Sequence, residues 1–313
     1  MPSKVDDGGG MIWGLLLHLG YNMWSDREAP DLGADHIVAR PYLRCDGGLW
    51  GDLTVRAADA GLNMVVIDLG EGVRYESHPE LAVEGAWTPD ELHAELARLR
   101  GLGLEPIPKL NFSATHDAWL GEYSRCVSTP RYYQVCQELI GEVCELFDGP
   151  RLFHLGMDEE TWQHQRHYAY VVIRQHELWW HDLAFLVEQV ERRGSQAWVW
   201  SDYAWHHDEY TQQMPQSVLQ SNWYYGLEFD PPCNEVATYQ RLAGAGYAQV
   251  PTGSNWTTPE NMERTVAYCR ENLPAEGLRG FLMTAWKPTL LSERERHEQA
   301  IDLLAQAKAI WEA

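Results

Sequence analysis

Three consecutive acids follow a short apolar run in the stretch FHLGMDEE, which covers residues 153–160. Asp158 and Glu159 are neighbours, so their side chains leave an extended chain in different directions. Two carboxyl groups held close together repel, and burial raises the pKa of at least one of them. A carboxylic acid kept neutral in this way can protonate the oxygen of a glycosidic bond. The same acids at the start of a helix would stabilise its N-terminus, so the pattern alone leaves a structural role open.

Polar and aromatic side chains end the other apolar runs of the chain as well. Each of them taken alone is compatible with a satisfied core or loop residue, but eight separate runs ending in amides, acids or indoles indicate a common site. The residues are His18, Asp68, Glu71, Lys109, Asn111, His116, His154, Asp202, Asn222, Trp223, Tyr224, Asn255, Trp256 and Trp286. Tryptophan and tyrosine, with 15 copies each, combine an apolar ring with a polar tip, which suits ligands such as sugars.

Short apolar runs alternate with amphipathic stretches of helical period, which indicates repeated strand-then-helix units. The eight runs cover residues 11–20, 62–70, 104–112, 151–159, 196–203, 217–225, 247–256 and 278–286. Thr-Pro pairs beginning at residues 88, 129 and 258 open three of the helical stretches with a cap residue and a first-turn proline. Residues 162–193 are expected to form a long helix or a helix pair.

Near-continuous apolar strands are typical of a parallel sheet that is buried on both faces. Eight strand-helix units in 313 residues therefore predict an α/β fold, a single-domain (β/α)8 TIM barrel over residues 1–313. An open doubly wound sheet is the alternative, but no glycine-rich phosphate loop follows the first strand. Residues 1–10 are expected to be flexible, and residues 21–50 to form a long loop over the barrel mouth. Sites of such barrels lie at the C-terminal ends of the strands, where the polar residues occur.

The charge balance and the cysteines restrict the classes of partner and compartment. With 46 Asp and Glu against 24 Lys and Arg, the formal net charge is −22, which argues against binding to nucleic acid or to anionic membranes. The six cysteines are scattered without a C-x-x-C pair, and the N-terminus lacks the pattern of a secretory signal. Free thiols and a cytoplasmic localisation are therefore expected. The oligomeric state is not indicated.

Residues 154–159 resemble a known motif. His154-x-Gly156-x-Asp158-Glu159 is similar to the H-x-G-x-D-E motif of glycoside hydrolase family 20, the β-N-acetylhexosaminidases. Residues 63–119 resemble the stretch of that family from its second to its third strand. The shared features there are Asn63, Arg74, Pro79-Glu80-Leu81, Gly85, the Thr-led helix after it, Ile107-Pro108 and His116.

The resemblance implies a retaining hydrolysis of an amino-sugar substrate in which the sugar's own 2-acetamido oxygen attacks the anomeric carbon. Glu159 would act as the acid and then as the base, Asp158 would orient the acetamido group, and Tyr224 would donate a hydrogen bond to it. Neither a metal nor another cofactor is implied. The predicted substrate-binding set is His116, His154, Asp68, Glu71, Asn111, Trp200, Asp202, Trp223, Tyr224, Asn255, Trp256 and Trp286.

The sequence departs from the family at two positions that bind sugar hydroxyls. The Arg usual at the end of the first strand is absent, since that strand runs into His18, and Trp286 is followed by Lys287 in place of an acid. A different hydroxyl-binding set is predicted from Asp68, Glu71, Lys109 and Asp202. An unusual amino sugar, or cleavage within a chain, is the corresponding hypothesis.

Three alternatives remain open at this stage. A two-carboxylate glycosidase would pair Glu159 with Asp202 or Glu71, and the separation of the carboxyl groups would identify it. A metal-dependent hydrolase would draw ligands from one of two His-containing groups. A carbohydrate-binding barrel without turnover is the third. The two candidate metal-ligand groups are His18 with His154 and Asp158, and His206 with His207 and Asp208.

Overall fold

A computed structural model describes residues 10–27, 37–230 and 232–313 of the chain. The segment expected to be flexible, residues 1–10, lies outside the described residues except for Gly10, and so does part of the expected mouth loop, residues 28–36. Within the described residues, no helix is both long enough and apolar enough to cross a membrane.

Eight parallel strands form the predicted barrel. They are β1 (Ile12–His18), β2 (Met64–Asp68), β3 (Glu105–Lys109), β4 (Leu152–His154), β5 (Gln196–Trp200), β6 (Leu219–Ser221), β7 (Thr252–Ser254) and β8 (Gly280–Thr284). Their hydrogen-bonded order is β6-β5-β4-β3-β2-β1-β8-β7. Isolated bridges that pair Gln220 with Gln249 and Trp223 with Thr252 join the two ends of this order. The (β/α)8 barrel expected from the alternation of strands and helices is therefore confirmed.

The helices surround the strands in the same alternation. They are α1 (Gly47–Asp59), α2 (Pro89–Gly101), α3 (Pro130–Leu146), α4 (Glu177–Glu191), α5 (Tyr210–Gln213), α6 (Asn234–Gly244), α7 (Asn261–Asn272) and α8 (Arg294–Glu312). Thr88 and Thr129 cap α2 and α3 through their side chains, as the Thr-Pro pairs predicted. The third pair does not cap its helix, because α7 begins later, at Asn261 after Glu260.

The expectation of helical structure over residues 162–193 is correct only for α4, which begins at Glu177. Residues 161–176 form no regular helix, because buried side chains tie this segment to the barrel. Arg174 is fully buried and pairs with Glu160 at 2.7 Å and with Asp182 at 3.2 Å. Gln165 accepts a hydrogen bond from the backbone of Val172. The segment therefore runs as a long β4–α4 loop at the mouth of the barrel.

The segment expected to be a loop over residues 21–50 ends before residue 50. Helix α1 begins at Gly47, because the Asp46 side chain accepts a hydrogen bond from the amide of Leu49 and caps the helix. The start of the segment is held by buried Glu71, whose carboxylate accepts from the amides of Tyr21 and Asn22. This anchoring brings the next residues of the loop to the barrel mouth.

Side chains fill the barrel interior, and a second apolar layer lies between strands and helices. Because strand residues alternate in direction, Leu16 and Val66 belong to the interior cluster, while Leu17 and Ile67 pack against the helices. Strand β5 sends Trp200 into the interior cluster. Much of the tryptophan excess is packing of this kind, and the buried examples are Trp13, Trp50, Trp119, Trp179, Trp180, Trp198 and Trp200.

Candidate active site

A cavity of about 310 Å³ opens at the C-terminal ends of the strands, which is the size of a small-molecule site. Seven residues of the predicted set line it together with three others. The lining residues are Met23, Trp24, Asn111, His116, Asp158, Glu159, Trp223, Tyr225, Trp256 and Trp286. Polar groups from the loops after β3 and β4 thus meet aromatic rings from the loops after β6, β7 and β8.

The chain after β4 adopts an unusual backbone path that presents both acids. Gly156, Met157 and Glu159 have φ values of 72°, 76° and 52°, in the left-handed region that L-residues rarely occupy. A Cβ atom at Gly156 would collide with Asn111, so glycine is required there. Strained backbone of this kind is often kept at functional sites. The glycine of the H-x-G-x-D-E pattern is thus explained by close packing on Asn111.

Asn111 holds Asp158 in place from the end of β3. Its Nδ2 atom donates to Asp158 Oδ1 at 2.8 Å, and its Oδ1 atom accepts from the amides of Ser113 and Met157 at 3.0 and 3.2 Å. Asn111 and Asp158 are both buried. A buried carboxylate with a charge-assisted hydrogen bond has a defined direction, so one oxygen of Asp158 is fixed by Asn111.

His116 lies between the two acids. Its Nε2 atom is 3.2 Å from Glu159 Oε2 and 3.5 Å from Asp158 Oδ2. Burial lowers the pKa of His116, but the nearby Asp158 charge and the Glu159 carboxylate outweigh burial and raise it overall. Burial raises the pKa of Glu159, but the hydrogen bond and charge of His116 bring it below its ordinary value. In the free protein the proton of this pair therefore resides on His116.

Asp202 supports the backbone of Glu159. Its Oδ2 atom accepts a hydrogen bond from the backbone amide of Glu159 at 2.8 Å, and it is not among the residues that line the cavity. Burial, followed by the charge of Asp158, raises the pKa of Asp202 well above its ordinary value. Asp202 is therefore a positioning group whose carboxyl resists ionisation.

Tyr225, and not Tyr224, reaches the cavity from the loop after β6. The Tyr225 hydroxyl accepts a hydrogen bond from Trp286 Nε1 at 2.8 Å, whereas the Tyr224 ring packs edge-on against Phe229 at 5.2 Å. Neighbouring residues of an extended chain point in opposite directions. Tyr225 is therefore on the same side of the chain as Trp223, and the centroids of the two rings are 4.9 Å apart. The alternation of side chains, counted from Trp223, is the sequence signal that would have identified Tyr225.

Two further lining residues were missed because they come from the segment before α1. Met23 and Trp24 line the cavity, and the Trp24 ring approaches Tyr21 at 5.3 Å and His116 at 6.4 Å. No periodic pattern marks individual residues in such a loop. The expectation of a loop over the mouth was the only available signal.

Several predicted substrate-binding residues form the base of the site without lining the cavity. Asp68 pairs with the buried Lys109 ammonium and lies 3.3 Å from His18 Nδ1. Burial raises the pKa of Asp68, but Lys109 and His18 outweigh it and lower the value to about 2. Glu71 anchors Tyr21 and the following residue. The hydroxyl-binding set expected from Asp68, Glu71, Lys109 and Asp202 is therefore not in contact with the cavity.

The remaining predicted residues are also structural. His154 accepts a hydrogen bond from the Gly156 amide through Nδ1 at 3.0 Å, and its ring lies 4.4 Å from that of Trp200. Trp200 in turn packs against Trp286, with the two ring centroids 5.8 Å apart. Asn255 donates through Nδ2 to Arg296 at 3.0 Å and so ties the β7 loop to α8. All three reach the cavity only through their neighbours.

The two acids and the histidine between them also offer donor atoms for a cation. His116, Asp158 and Glu159 each present one ligand atom, and these atoms lie within 4.8 Å of one another, a donor set that divalent metals accept. Neither of the two His-containing groups considered from the sequence is assembled in this way among the residues described. His18 contacts Asp68, and His207 stacks on Tyr203 at 3.7 Å.

No family model matches the sequence, and no curated protein matches it. Solved structures do match. A β-N-acetylhexosaminidase from Bacteroides fragilis NCTC 9343 aligns with a TM-score of 0.66 at 13% identity, over 95% of this chain and 65% of that one. The family 20 β-N-acetylhexosaminidase of Streptomyces coelicolor A3(2) aligns with a TM-score of 0.62 at 16% identity, over 94% of this chain and 64% of that one.

A mutant Streptomyces plicatus β-hexosaminidase in complex with its product GlcNAc aligns with a TM-score of 0.65 at 15% identity, over 96% of this chain and 68% of that one. The chain thus spans about two thirds of the length of these neighbours, and slightly less for the first two. At these identities the likeness establishes the fold. The neighbours are β-N-acetylhexosaminidases, the kind of protein that residues 63–119 and 154–159 resemble, and they confirm the barrel fold that this resemblance implied.

Proposed function

We propose that this protein is a glycoside hydrolase that cleaves the bond to a 2-acetamido sugar with the help of the substrate's own acetamido group. The observation that carries the proposal is the pairing of Asp158 and Glu159 in one aromatic-walled cavity, where they are the two carboxylates among the described lining residues. No acid faces them across the cavity within that set. A nucleophile supplied by the substrate accounts for this arrangement.

The reaction begins with the sugar held between aromatic rings, whose apolar faces match those of a pyranose. Glu159 protonates the glycosidic oxygen while the acetamido oxygen attacks the anomeric carbon, so the bond to the leaving group breaks and an oxazoline forms. Asp158 accepts the acetamido N–H and stabilises the charge that develops on the ring. Tyr225 donates a hydrogen bond from its hydroxyl to the acetamido oxygen. Glu159, now ionised, then takes a proton from the water that attacks the anomeric carbon and opens the oxazoline with retention.

Glu159 receives the proton of its acid form from the neighbouring His116. The proton that resides on His116 in the free protein crosses the 3.2 Å contact to Glu159 when substrate fills the cavity. Exclusion of water favours this transfer, because it replaces two buried opposite charges by two neutral groups. A group next to the acid thus supplies its proton at neutral pH.

A second candidate is a retaining glycosidase in which Asp158, in place of the Asp202 or Glu71 expected from the sequence, is the enzyme nucleophile. One oxygen of Asp158 and one of Glu159 are at most 4.8 Å apart, and retaining glycosidases with an enzyme nucleophile hold their two carboxyl groups roughly 5 Å apart. Against it, one oxygen of Asp158 is engaged by Asn111 and the other faces His116. Both remaining candidate partners, Asp202 and Glu71, lie outside the cavity.

Hydrolysis of aryl 2-acetamido-2-deoxy-β-glycosides tests the proposal. A panel of gluco, galacto and 6-deoxy sugars is appropriate, because the expected hydroxyl-binding residues do not line the cavity. Glu159→Gln is expected to lower kcat by roughly 10²–10⁴-fold, while Glu188→Gln on the exposed side of α4 serves as the matched control. Wild-type rates for Glu159→Gln, or no hydrolysis across the panel, would overturn the proposal.

Fluorination of the acetamido group separates the two mechanisms. Each fluorine makes the acetamido oxygen a poorer nucleophile, so kcat/KM falls progressively along the acetyl, fluoroacetyl and trifluoroacetyl series when the substrate supplies the nucleophile. If Asp158 were the nucleophile, the series would be nearly flat and a glycosyl ester on Asp158 would be detectable by mass spectrometry.

A further inference from the structure

A second cavity of about 370 Å³ adjoins the site, within the size range of small-molecule pockets. It shares Trp24, Glu159 and Trp256 with the first cavity. Its other walls include His164, Arg166 and His167 from the β4–α4 loop, and we call it the outer lobe. The outer lobe and the site cavity are therefore two halves of one depression with Glu159 on the boundary.

The position of Glu159 determines what the outer lobe receives. An acid that protonates the glycosidic oxygen must lie next to that oxygen. The sugar occupies the aromatic-walled cavity on one side of Glu159, so the group attached to the oxygen extends to the other side. The outer lobe is therefore the place of the leaving group, and this assignment rests on the proposed function.

The outer lobe lacks the acidic excess of the molecule. The chain carries a formal charge of −22, yet the described lining of the outer lobe contains one carboxylate, Glu159, against Arg166 and two histidines. Arg166 donates through Nε to His167 Nε2 at 2.9 Å, and no carboxylate among the described residues lies within ion-pair distance of it. The residue is exposed in the wall of the outer lobe, and a planar guanidinium can bind an anionic oxygen group in a bidentate manner.

His164 adds a second donor on the same side. Its Nδ1 atom contacts Thr161 Oγ1 at 2.8 Å, and its Nε2 atom lies 3.6 Å from Glu159 Oε1. The ring therefore lies beside Glu159 in the wall of the outer lobe, where Arg166 is a further lining residue.

We infer that the outer lobe binds a leaving group bearing an anionic oxygen group, a carboxylate or a sulfate, through Arg166 with His164 beside it. The natural substrate would then be an amino sugar linked to an acidic residue, such as a uronic acid or a sulfated sugar. Attraction between Arg166 and this anion would distinguish acidic from neutral leaving groups at a site that is otherwise aromatic.

Binding of sulfur-linked analogues tests the inference independently of turnover. The probes are 3-carboxyphenyl and 3-sulfophenyl 2-acetamido-2-deoxy-1-thio-β-glucosides and the methyl ester of the carboxyphenyl compound, each titrated calorimetrically. The quantity measured is the affinity ratio of acid to ester. Arg166→Ala is expected to lower this ratio by about three- to fivefold, as for an exposed ion pair, and 0.5 M NaCl should have a similar effect on wild type. Arg192→Ala, at an exposed residue just after the end of α4, is the matched control and should leave the ratio unchanged.

The outcomes separate the two proposals. A ratio that Arg166→Ala leaves unchanged, or an acid probe that wild type does not bind, overturns the assignment of the outer lobe even if simple aryl glycosides are hydrolysed. Conversely, failure to hydrolyse any aryl glycoside overturns the proposed function, while the affinity ratio still decides whether the outer lobe binds anions. The carboxylate and sulfonate probes then show which anion fits better.

Discussion

The neighbouring tyrosines at residues 224 and 225 provide a matched test of the site geometry. Tyr225→Phe removes a hydroxyl that faces the cavity and accepts a hydrogen bond from Trp286 Nε1 at 2.8 Å. Tyr224→Phe removes a hydroxyl whose ring packs on Phe229, outside the cavity. The two substitutions delete the same atom from adjacent positions, so a difference between them reports position alone.

The expected effect of Tyr225→Phe follows from the contacts of the hydroxyl. Loss of one preorganised donor to a developing oxyanion costs about 2.7–4 kcal/mol. The acetamido oxygen carries less charge, so about 2–3 kcal/mol is appropriate, which corresponds to roughly 30- to 150-fold in kcat. Donation from Trp286 polarises the hydroxyl toward the cavity and places the effect in this range. Trp286 also loses its acceptor, at about 1–3 kcal/mol of stability, so a lower Tm is expected.

The assay is the steady-state hydrolysis of an aryl 2-acetamido-glycoside by both variants, with Tm measured in parallel. Tyr224→Phe should retain kcat within about twofold of wild type, while Tyr225→Phe should lose it without a comparable rise in KM, since the contact strengthens as the acetamido group attacks. A Tyr225→Phe variant within threefold of wild type, or a larger loss for Tyr224→Phe, would refute the reasoning.

Three further predictions concern the groups around the two acids. Asn111→Ala removes the donor to Asp158 and leaves two backbone amides without an acceptor, so kcat/KM should fall by about 10- to 100-fold and Tm should decrease; unchanged kinetics would exclude the orienting role. Asp202→Asn should stay within about threefold of wild type in kcat, because an amide oxygen can still accept the hydrogen bond from the Glu159 amide and the raised pKa of Asp202 disfavours its ionised form, whereas a loss of three orders of magnitude would identify Asp202 as a catalytic carboxylate. The raised pKa of His116 stabilises the fold fully at pH values below 6.5, the ordinary pKa of histidine, and this contribution is lost as the pH rises through the pKa of His116 in the folded protein. The lowered pKa of Glu159 stabilises the fold fully at pH values above 4.5, the ordinary pKa of glutamate, and this contribution is lost as the pH falls through the pKa of Glu159 in the folded protein. The pair therefore stabilises most between pH 4.5 and 6.5, and His116→Asn should reduce the fall of Tm on either side of that window; an identical profile for the variant would contradict the linkage.

The barrel and the position of its acids were accessible from the sequence because they depend on local patterns. Strand and helix periods, caps such as Thr88, and the polar ends of apolar runs each involve residues close in the chain. The acids Asp158 and Glu159 follow β4 directly, so a barrel places them at its mouth. Gly156 belongs to the same local pattern, although its close packing on Asn111 is visible only in three dimensions.

The tertiary structure decided which polar residues meet the cavity and which support it. Asp68 is neutralised by Lys109, 41 residues away, and Glu71 is occupied by Tyr21, 50 residues away. A buried charge takes the partner that removes its desolvation cost, and no local pattern identifies a partner at that separation. The sequence therefore predicted these two acids in the site, whereas the structure places them outside the lining of the cavity.

The direction of a side chain after a strand is the second feature that the sequence left undetermined. Alternation makes either Tyr224 or Tyr225 a candidate, and the choice depends on the hydrogen bond from Trp286, which follows β8, two strands from β6 in the closed barrel. The β4–α4 loop shows the same dependence, because buried Arg174 ties it to Glu160 and Asp182. Sequence alone thus determined the barrel and the two acids, whereas packing between distant segments decided the walls of the cavity.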